Sequence, residues 1–376
     1  MKKIGIFWNL SCYGGVQTCV ISLIKGLNKI GIIPDLLSDD DLNNKIISEH
    51  NLELNYIRVC YSISIKTKNK LLKYTLGAID FIYYYKTSWL KKDYDFLYIF
   101  TYNVIVDKEC GYLYYLLMSP RAIGYGGNNI LQKMKFIVYD YLIKYFIPVY
   151  ELHGTMGNYV TISEYTAEWF YHNYNKKIKI IYPSNLIPVN NNNNNNNNNN
   201  DNSYENKNIV FLSRLEPQKR PDIFLNICKI FPEKNFVMIG AKGTDEYMDV
   251  LNSIIVNKQL PNLRVCSDLK YCEVIDELKK AKIYVFTAKN EHFGITTVEA
   301  MMCGAIPFVH NSGGQIEIVP WDELRFNDDN YIEKFSNLMS FDQNKIDKLQ
   351  KQISSHINKF SEEQYINKML QYLKDI

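Results

Sequence analysis

Short apolar runs alternate with amphipathic stretches of helical length along most of this chain. Near the amino terminus Lys3–Trp8 is an apolar run of strand length, and Leu10–Gly15 is a loop. Val16–Ile30 then carries apolar residues at 16, 20, 23, 24 and 27 and closes on Gly31. That spacing lines one face of a helix, and glycine suits the left-handed turn at a helix carboxyl end. The order repeats later, with Ile209–Leu212 as strand, Ser213–Arg220 as loop and Pro221–Phe231 as a helix with proline in its first turn. Further strands are predicted at Phe96–Phe100, Ile178–Tyr182, Phe236–Gly240, Leu263–Cys266, Ile283–Thr287 and Ile306–His310. Helices fall between them, as at Thr244–Lys258 and Glu273–Lys280, and Lys345–Ile376 reads as helix throughout, charged on one face. Alternation of this kind in both halves predicts an α/β chain of two Rossmann-like domains with parallel sheets.

Length agrees, since 376 residues at roughly 150 per domain give two domains, or three. An unbroken asparagine tract, Asn190–Asn200, lies near the midpoint. Such a tract buries no apolar surface and reads as a solvated linker. The expected division is therefore 1–187, a linker at 188–208, a second domain at 209–355, and a terminal helix at 356–376.

Charge changes the picture only locally. The net +3 is too small to argue for nucleic acid. Residues 1–189 hold 21 Lys/Arg against 15 Asp/Glu, whereas the remainder holds 22 against 25. A basic first half points to an anionic partner for that half alone. Seven lysines between Lys66 and Lys92, interleaved with aromatic residues, fit peripheral contact with an anionic membrane face. They fit a solvated helix face over a tyrosine-rich core equally well. Eight cysteines without a C-x-x-C spacing read as small buried residues in a reducing, cytoplasmic compartment. Ile4–Trp8 is too short for a signal peptide, and Phe136–Tyr150 is too short and too charged to span a bilayer.

The candidate chemistry lies in three segments. Glu291-His-Phe-Gly-Ile-Thr-Thr-Val-Glu299 brackets a Phe-Gly turn with two carboxylates and is followed, one strand later, by His310-Asn-Ser-Gly-Gly314. Two acids at the carboxyl end of a strand can face the crevice where open α/β sheets bind ligands. Glu299 alone would fit a capping box with Thr296, a purely structural role. The Gly313-Gly314 turn offers backbone amides to an anion. Arg214 and Lys219, on the loop after Ile209–Leu212, can offset the charge of a departing diphosphate. Tyr13-Gly14-Gly15-Val16 opens the first helix directly after the first strand, but lacks the full G-x-G-x-x-G fingerprint. Asp93-Tyr-Asp95 and Asp39-Asp-Asp41 match D-x-D, a spacing short enough to arise by chance.

In this order the three segments resemble glycosyltransferase family 4, retaining transferases of the GT-B fold. The resemblance covers Ile209 to about Val319 closely and the first domain loosely. It implies two Rossmann-like domains facing across a cleft, the acceptor on the first and the nucleotide sugar on the second. It also implies that the terminal helix crosses back to the first domain. By resemblance, Glu291 contacts hydroxyls of the donor sugar, Glu299 the ribose diol, and Arg214 and Lys219 the diphosphate. Gly14, Gly15, Phe293, Gly294, Asn311, Gly313 and Gly314 complete the donor site. The reaction implied is transfer of a hexosyl group, of mannose or glucose type, with retention of anomeric configuration. The donor would be GDP-mannose or UDP-glucose and the acceptor a glycan, lipid-linked or protein-linked. No protein nucleophile, metal or other cofactor is implied. Asn290–Gly294 with His310–Gly314 also looks like the eukaryotic mannosyltransferases that extend lipid-linked oligosaccharide. One departure stands out: the family's first-domain histidine is absent from Arg121-Ala-Ile-Gly-Tyr-Gly-Gly127, where Tyr125 or His153 would have to substitute. Two alternatives therefore remain, a sugar-nucleotide epimerase on the same fold and a catalytically degenerate subunit that binds nucleotide sugar.

Overall fold

The computed structural model describes residues 2–8, 10, 14–38, 41–59, 94–100, 111–116, 159–175, 177–187, 208–241 and 243–374. The asparagine tract, Tyr13, Lys66–Lys92, Asp93, Arg121–Gly127 with Tyr125, Phe136–Tyr150 and His153 lie outside the described residues. The chain forms two compact units, Met1–Ser184 with Glu363–Ile376, and Asn185–Glu362. Among the described residues no helix is long and apolar enough to cross a membrane.

Among the described residues the first unit holds seven strands: β1 (Ile4–Phe7), β2 (Asp35–Ser38), β3 (Asn55–Arg58), β4 (Phe96–Ile99), β5 (Gly111–Leu116), β6 (Tyr159–Thr161) and β7 (Lys179–Ile180). They pair in the order β3-β2-β1-β4-β5-β6-β7, parallel throughout. Its helices include α1 (Gly15–Lys29), α2 (Asn44–His50) and α3 (Glu164–Tyr174). Every residue of β1 and β4 is buried, which is why these strands read as continuous apolar runs rather than alternating ones. The core is aromatic, and a buried tyrosine needs a partner for its hydroxyl. Tyr115 Oη donates to the Ile181 carbonyl at 2.8 Å, and Tyr94 Oη to Asp35 Oδ2 at 2.9 Å. Asp95 is occupied locally, its Oδ2 accepting from the Lys3 amide at 2.7 Å.

The second unit holds β8 (Asn208–Leu212), β9 (Phe236–Gly240), β10 (Leu263–Ser267), β11 (Ala281–Phe286), β12 (Ile306–His310) and β13 (Arg325–Phe326). The order is β10-β9-β8-β11-β12-β13, again all parallel. The intervening helices are α4 (Pro221–Ile230), α5 (Asp245–Lys258), α6 (Tyr271–Lys279), α7 (Ile295–Met302), α8 (Gln315–Ile318), α9 (Tyr331–Met339) and α10 (Gln343–His356). The chain winds away from β8 in one direction and then returns to pair β11 on its other side. At such a switch point the loops leaving the two strands diverge and open a crevice at their carboxyl ends.

The expected single helix over Lys345–Ile376 is broken. α10 ends at His356, a 3-10 turn covers Ile357–Phe360, and α11 (Glu362–Gln371) starts anew. The turn buries both Ile357 and Phe360, the Phe360 ring lying 5.6 Å from that of Phe293. α11 packs in the first unit, where Tyr98 Oη donates to the Met369 carbonyl at 2.9 Å. Cys272 also departs from expectation: it is exposed, whereas Cys19 and Cys228 are buried.

Candidate active site at the β8–β11 switch point

The loop leaving β8 is fixed before any charged group is placed. Leu215 is fully buried, and its amide donates to the Ala241 carbonyl at 3.0 Å. A 3-10 turn at Pro217–Lys219 follows, and Arg220 takes left-handed backbone angles, φ 52°, just ahead of Pro221. Thr287, directly after β11, holds this turn from the neighbouring strand. Its hydroxyl lies 2.6 Å from the Lys219 carbonyl and 2.8 Å from that of Arg220. The result is that Lys219 reaches across the switch point to Glu291, Nζ to Oε2 at 2.5 Å, with both side chains about four-fifths buried.

Glu291 is held by the second glycine pair. The Gly314 amide donates to the Glu291 carbonyl at 2.7 Å, so that amide, expected to be open to an anion, is used within the protein. Gly313 has φ 65°, and a Cβ there would stand 2.3 Å from the Glu291 carbonyl oxygen. Only glycine fits at both counts. Burial would raise the Glu291 carboxyl, but the charge and hydrogen bond of Lys219 outweigh it and hold the group below its ordinary value.

Glu299 has a different setting. The helix starts two residues earlier than a Thr296 capping box requires: Gly294 is the N-cap of α7, with φ 115°, and no side chain caps it. Glu299 therefore sits inside α7, only 5% exposed, and its Oε1 accepts from Tyr271 Oη at 2.9 Å. No cation pairs with it among the described residues, and burial pushes its carboxyl up to about 7. Tyr284 of β11 is fully buried within electrostatic reach of both acids. Its hydroxyl bonds the Leu212 carbonyl at 3.1 Å and Thr296 Oγ1 at 2.7 Å, and it feels the charge of both Glu299 and Glu291.

Comparison with known proteins shows what this arrangement is similar to. Residues 192–372 match the model for "Glycosyl transferases group 1". Over that segment the chain is similar to the group 1 glycosyl transferases. A relative from Yarrowia lipolytica, a "GDP-Man:Man(3)GlcNAc(2)-PP-Dol alpha-1,2-mannosyltransferase", is 31% identical over 162 residues, 39% of this chain and 25% of the relative. The chain thus matches only a quarter of that protein's length. A solved glycosyltransferase from Rickettsia africae aligns with all of this chain and 98% of its own at TM-score 0.68 and 16% identity. Anabaena HepE, solved with UDP and glucose, aligns over 100% of both chains at TM-score 0.65 and 15% identity. These likenesses show the fold, two Rossmann-like parallel-sheet domains of GT-B type.

Within the matched half, the expected site residues divide. Lys219, Glu291, Gly313 and Gly314 come together around one ion pair, and Tyr284 lies within electrostatic reach of both Glu291 and Glu299. Arg214 is exposed and pairs locally with Glu216, Nη1 to Oε1 at 2.8 Å. The Phe293 side chain is buried against Phe360, away from any open surface. Gly294 packs against Gln315, whose Nε2 donates to the Phe293 carbonyl at 3.1 Å. The Asn311 amide is taken by the Phe326 carbonyl at 2.8 Å. Gly14, N-cap of α1, and Gly15, its first residue, belong to the first unit, at the carboxyl end of β1.

Sequence reading missed the supporting residues. Arg220 pairs with Asp328 at 2.6 Å, and Asp328 also meets Lys289 and the buried His310. Burial raises Asp328, but hydrogen bonds from Arg220 and Lys289 prevail and hold it at about 2. Burial lowers His310 against the opposing pull of Asp328, and its Nδ1 lies 2.8 Å from Ser312 Oγ. Ser312 Oγ in turn accepts from the Asn290 amide at 2.8 Å, beside Glu291. His310 and Ser312 lie in the His310–Gly314 segment already singled out, but Asp328 and Arg220 form no motif with it, so only the fold brings these groups together.

Proposed function

We propose that this chain is a retaining glycosyltransferase that moves a hexosyl group, mannose before glucose, from a nucleoside-diphosphate sugar to a lipid-linked glycan. The observation that carries the reading is the Lys219–Glu291 pair beside Glu299 at the switch point of a group 1 glycosyl transferase sheet. GDP-mannose and a lipid-linked acceptor are favoured by the name of the Yarrowia lipolytica relative.

In this reading Lys219, with Arg214 released from Glu216, meets the diphosphate and offsets the charge that grows as it leaves. Glu291, kept ionised by Lys219, accepts hydrogen bonds from hydroxyls of the donor sugar. Glu299 accepts from the ribose diol. The departing diphosphate takes the acceptor proton on the face it leaves, which retains the anomeric configuration and requires no protein nucleophile. The two cations serve where other transferases use a metal. Gly14 and Gly15 of the first domain let its backbone approach the diphosphate, and that domain binds the acceptor. The chain works in the cytoplasm, in peripheral contact with the membrane that carries the acceptor, with Lys66–Lys92 as its basic contact.

Thermal unfolding with GDP, UDP and ADP, on the parent and on Lys219→Ala, tests the reading. A nucleotide at a hundred times its dissociation constant adds about 2.7 kcal/mol of stability. The expected result is a rise with GDP that Lys219→Ala abolishes, followed by turnover of GDP-mannose. A protein that none of the three stabilises would have no working donor site.

A further inference from the structure

Glu299 is an anomaly among the buried acids of the second unit. It is 5% exposed, forms no ion pair among the described residues, and receives one hydrogen bond, from Tyr271 Oη at 2.9 Å. A buried carboxylate with neither a cation nor donors keeps its proton, because the charged form has lost its water. The ionisable groups that face it are Tyr271 on α6, Tyr284 on β11 and Cys303 at the end of α7, while Lys279 on α6 acts on Cys303. Tyr284 is committed elsewhere, to the Leu212 carbonyl and Thr296. The Cys303 thiol stays neutral, since burial pushes it up to about 11. Tyr271 is the remaining donor.

The backbone around Tyr271 is built to deliver that hydroxyl. Tyr271 is the first residue of α6, and the Lys270 amide just before it donates to Glu273 Oε2 at 2.7 Å. This capping bond fixes where the helix begins, and so the direction in which the Tyr271 ring leaves it.

We infer that Tyr271 is a positioning residue for nucleotide binding: its hydroxyl, on Glu299 Oε1, fixes the carboxyl and leaves Oε2 to accept from the vicinal hydroxyls of a ribose. The inference rests on reading Glu299 as a contact of the nucleotide sugar. A diol has two hydrogens to donate, so it needs an acceptor; a protonated carboxyl would place a competing hydrogen there. Burial, which raises Glu299, and Tyr271, which lowers it, thus set the pH range in which this half of the site accepts nucleotide.

Tyr271→Phe removes the hydroxyl and keeps the ring. Two readouts apply to the full chain: calorimetric titration with GDP and UDP from pH 6 to pH 9, and the ¹³C signal of the Glu299 carboxyl, identified by its loss in Glu299→Gln. The expected result is an upward move of the Glu299 midpoint in Tyr271→Phe. Affinity should fall about tenfold near neutral pH, the scale of a lost hydrogen bond to a charged group, and recover as pH rises. An unchanged Glu299 midpoint, or an affinity loss equal at every pH, overturns the inference and leaves the proposed function standing. A parent protein that binds neither nucleotide at any pH overturns that function, and the inference falls with it.

Discussion

Glu291 and Glu299 belong to one strand–loop–helix segment and both are largely buried, yet their ionisation shifts in opposite directions. Glu291 leaves the sheet on a loop that meets Lys219 from the next strand, so its charge is compensated across the switch point. Glu299 lies within a helix and, among the described residues, pairs with no cation and accepts a hydrogen bond from a tyrosine hydroxyl. Burial is common to both, and what differs is the neighbour that the topology brings. In the proposed function the contrast would suit two tasks: an ionised acceptor beside a cation for hydroxyls of the sugar, and a carboxylate without a cation for the ribose diol.

The largest effect should come from breaking the compensated side. Lys219→Ala leaves Glu291 buried without its cation and should lower stability by about 3 kcal/mol, as loss of one partner from a buried pair does. Urea unfolding at pH 7 checks this, and the deficit should shrink as pH falls and Glu291 takes up a proton. Gly313→Ala should cost about 2 kcal/mol, because φ 65° is strained for alanine and its Cβ would press on the Glu291 carbonyl. The companion readout is the melting point.

The uncompensated side predicts the opposite sign. Glu299 is raised from an ordinary 4.5 to about 7, so the folded state holds a proton that the unfolded chain has released across that interval. Stability therefore falls as pH rises between the two values, by at most about 3 kcal/mol. Glu299→Gln should abolish this slope and be more stable than the parent at pH 8, while binding nucleotide less well. Denaturation at pH 5 and pH 8 separates the two; a parallel pH dependence in parent and variant would contradict the assigned setting of Glu299. Glu291 runs the other way: its contribution is present above its ordinary value and lost as pH falls through the lowered one. The smallest effect is expected for Arg214→Ala. An exposed pair such as Arg214–Glu216 contributes under about 1 kcal/mol, so unfolding should barely move while nucleotide affinity drops.

Much of the sheet framework was legible because buried parallel strands read as apolar runs, as with Ile306–His310. Short strands escaped: Arg325–Phe326 has two residues and no periodicity of its own. The break before α11 did leave a trace, since Ser361-Glu-Glu-Gln364 is a helix-start pattern set inside an apparently continuous helix. In the site, Glu291 and Lys219 could be singled out by residue type and loop position. Phe293 could not be assigned the same way, because an aromatic beside a glycine turn looks alike whether it faces a ligand or, as here, the core.

By itself the sequence determined the alternation of strands and helices, the two-domain plan, and the loops on which charged residues leave the sheet. Those features depend on local periodicity and on glycine and proline chemistry, which neighbouring residues encode. Only the tertiary structure decided which charges meet. Thr287 holding the Lys219 turn, Tyr284 bonding Thr296 and Tyr271 bonding Glu299 are contacts across separate strands and helices. Ionisation in a protein interior follows the groups within a few ångströms, and strand order, rather than chain order, selects them.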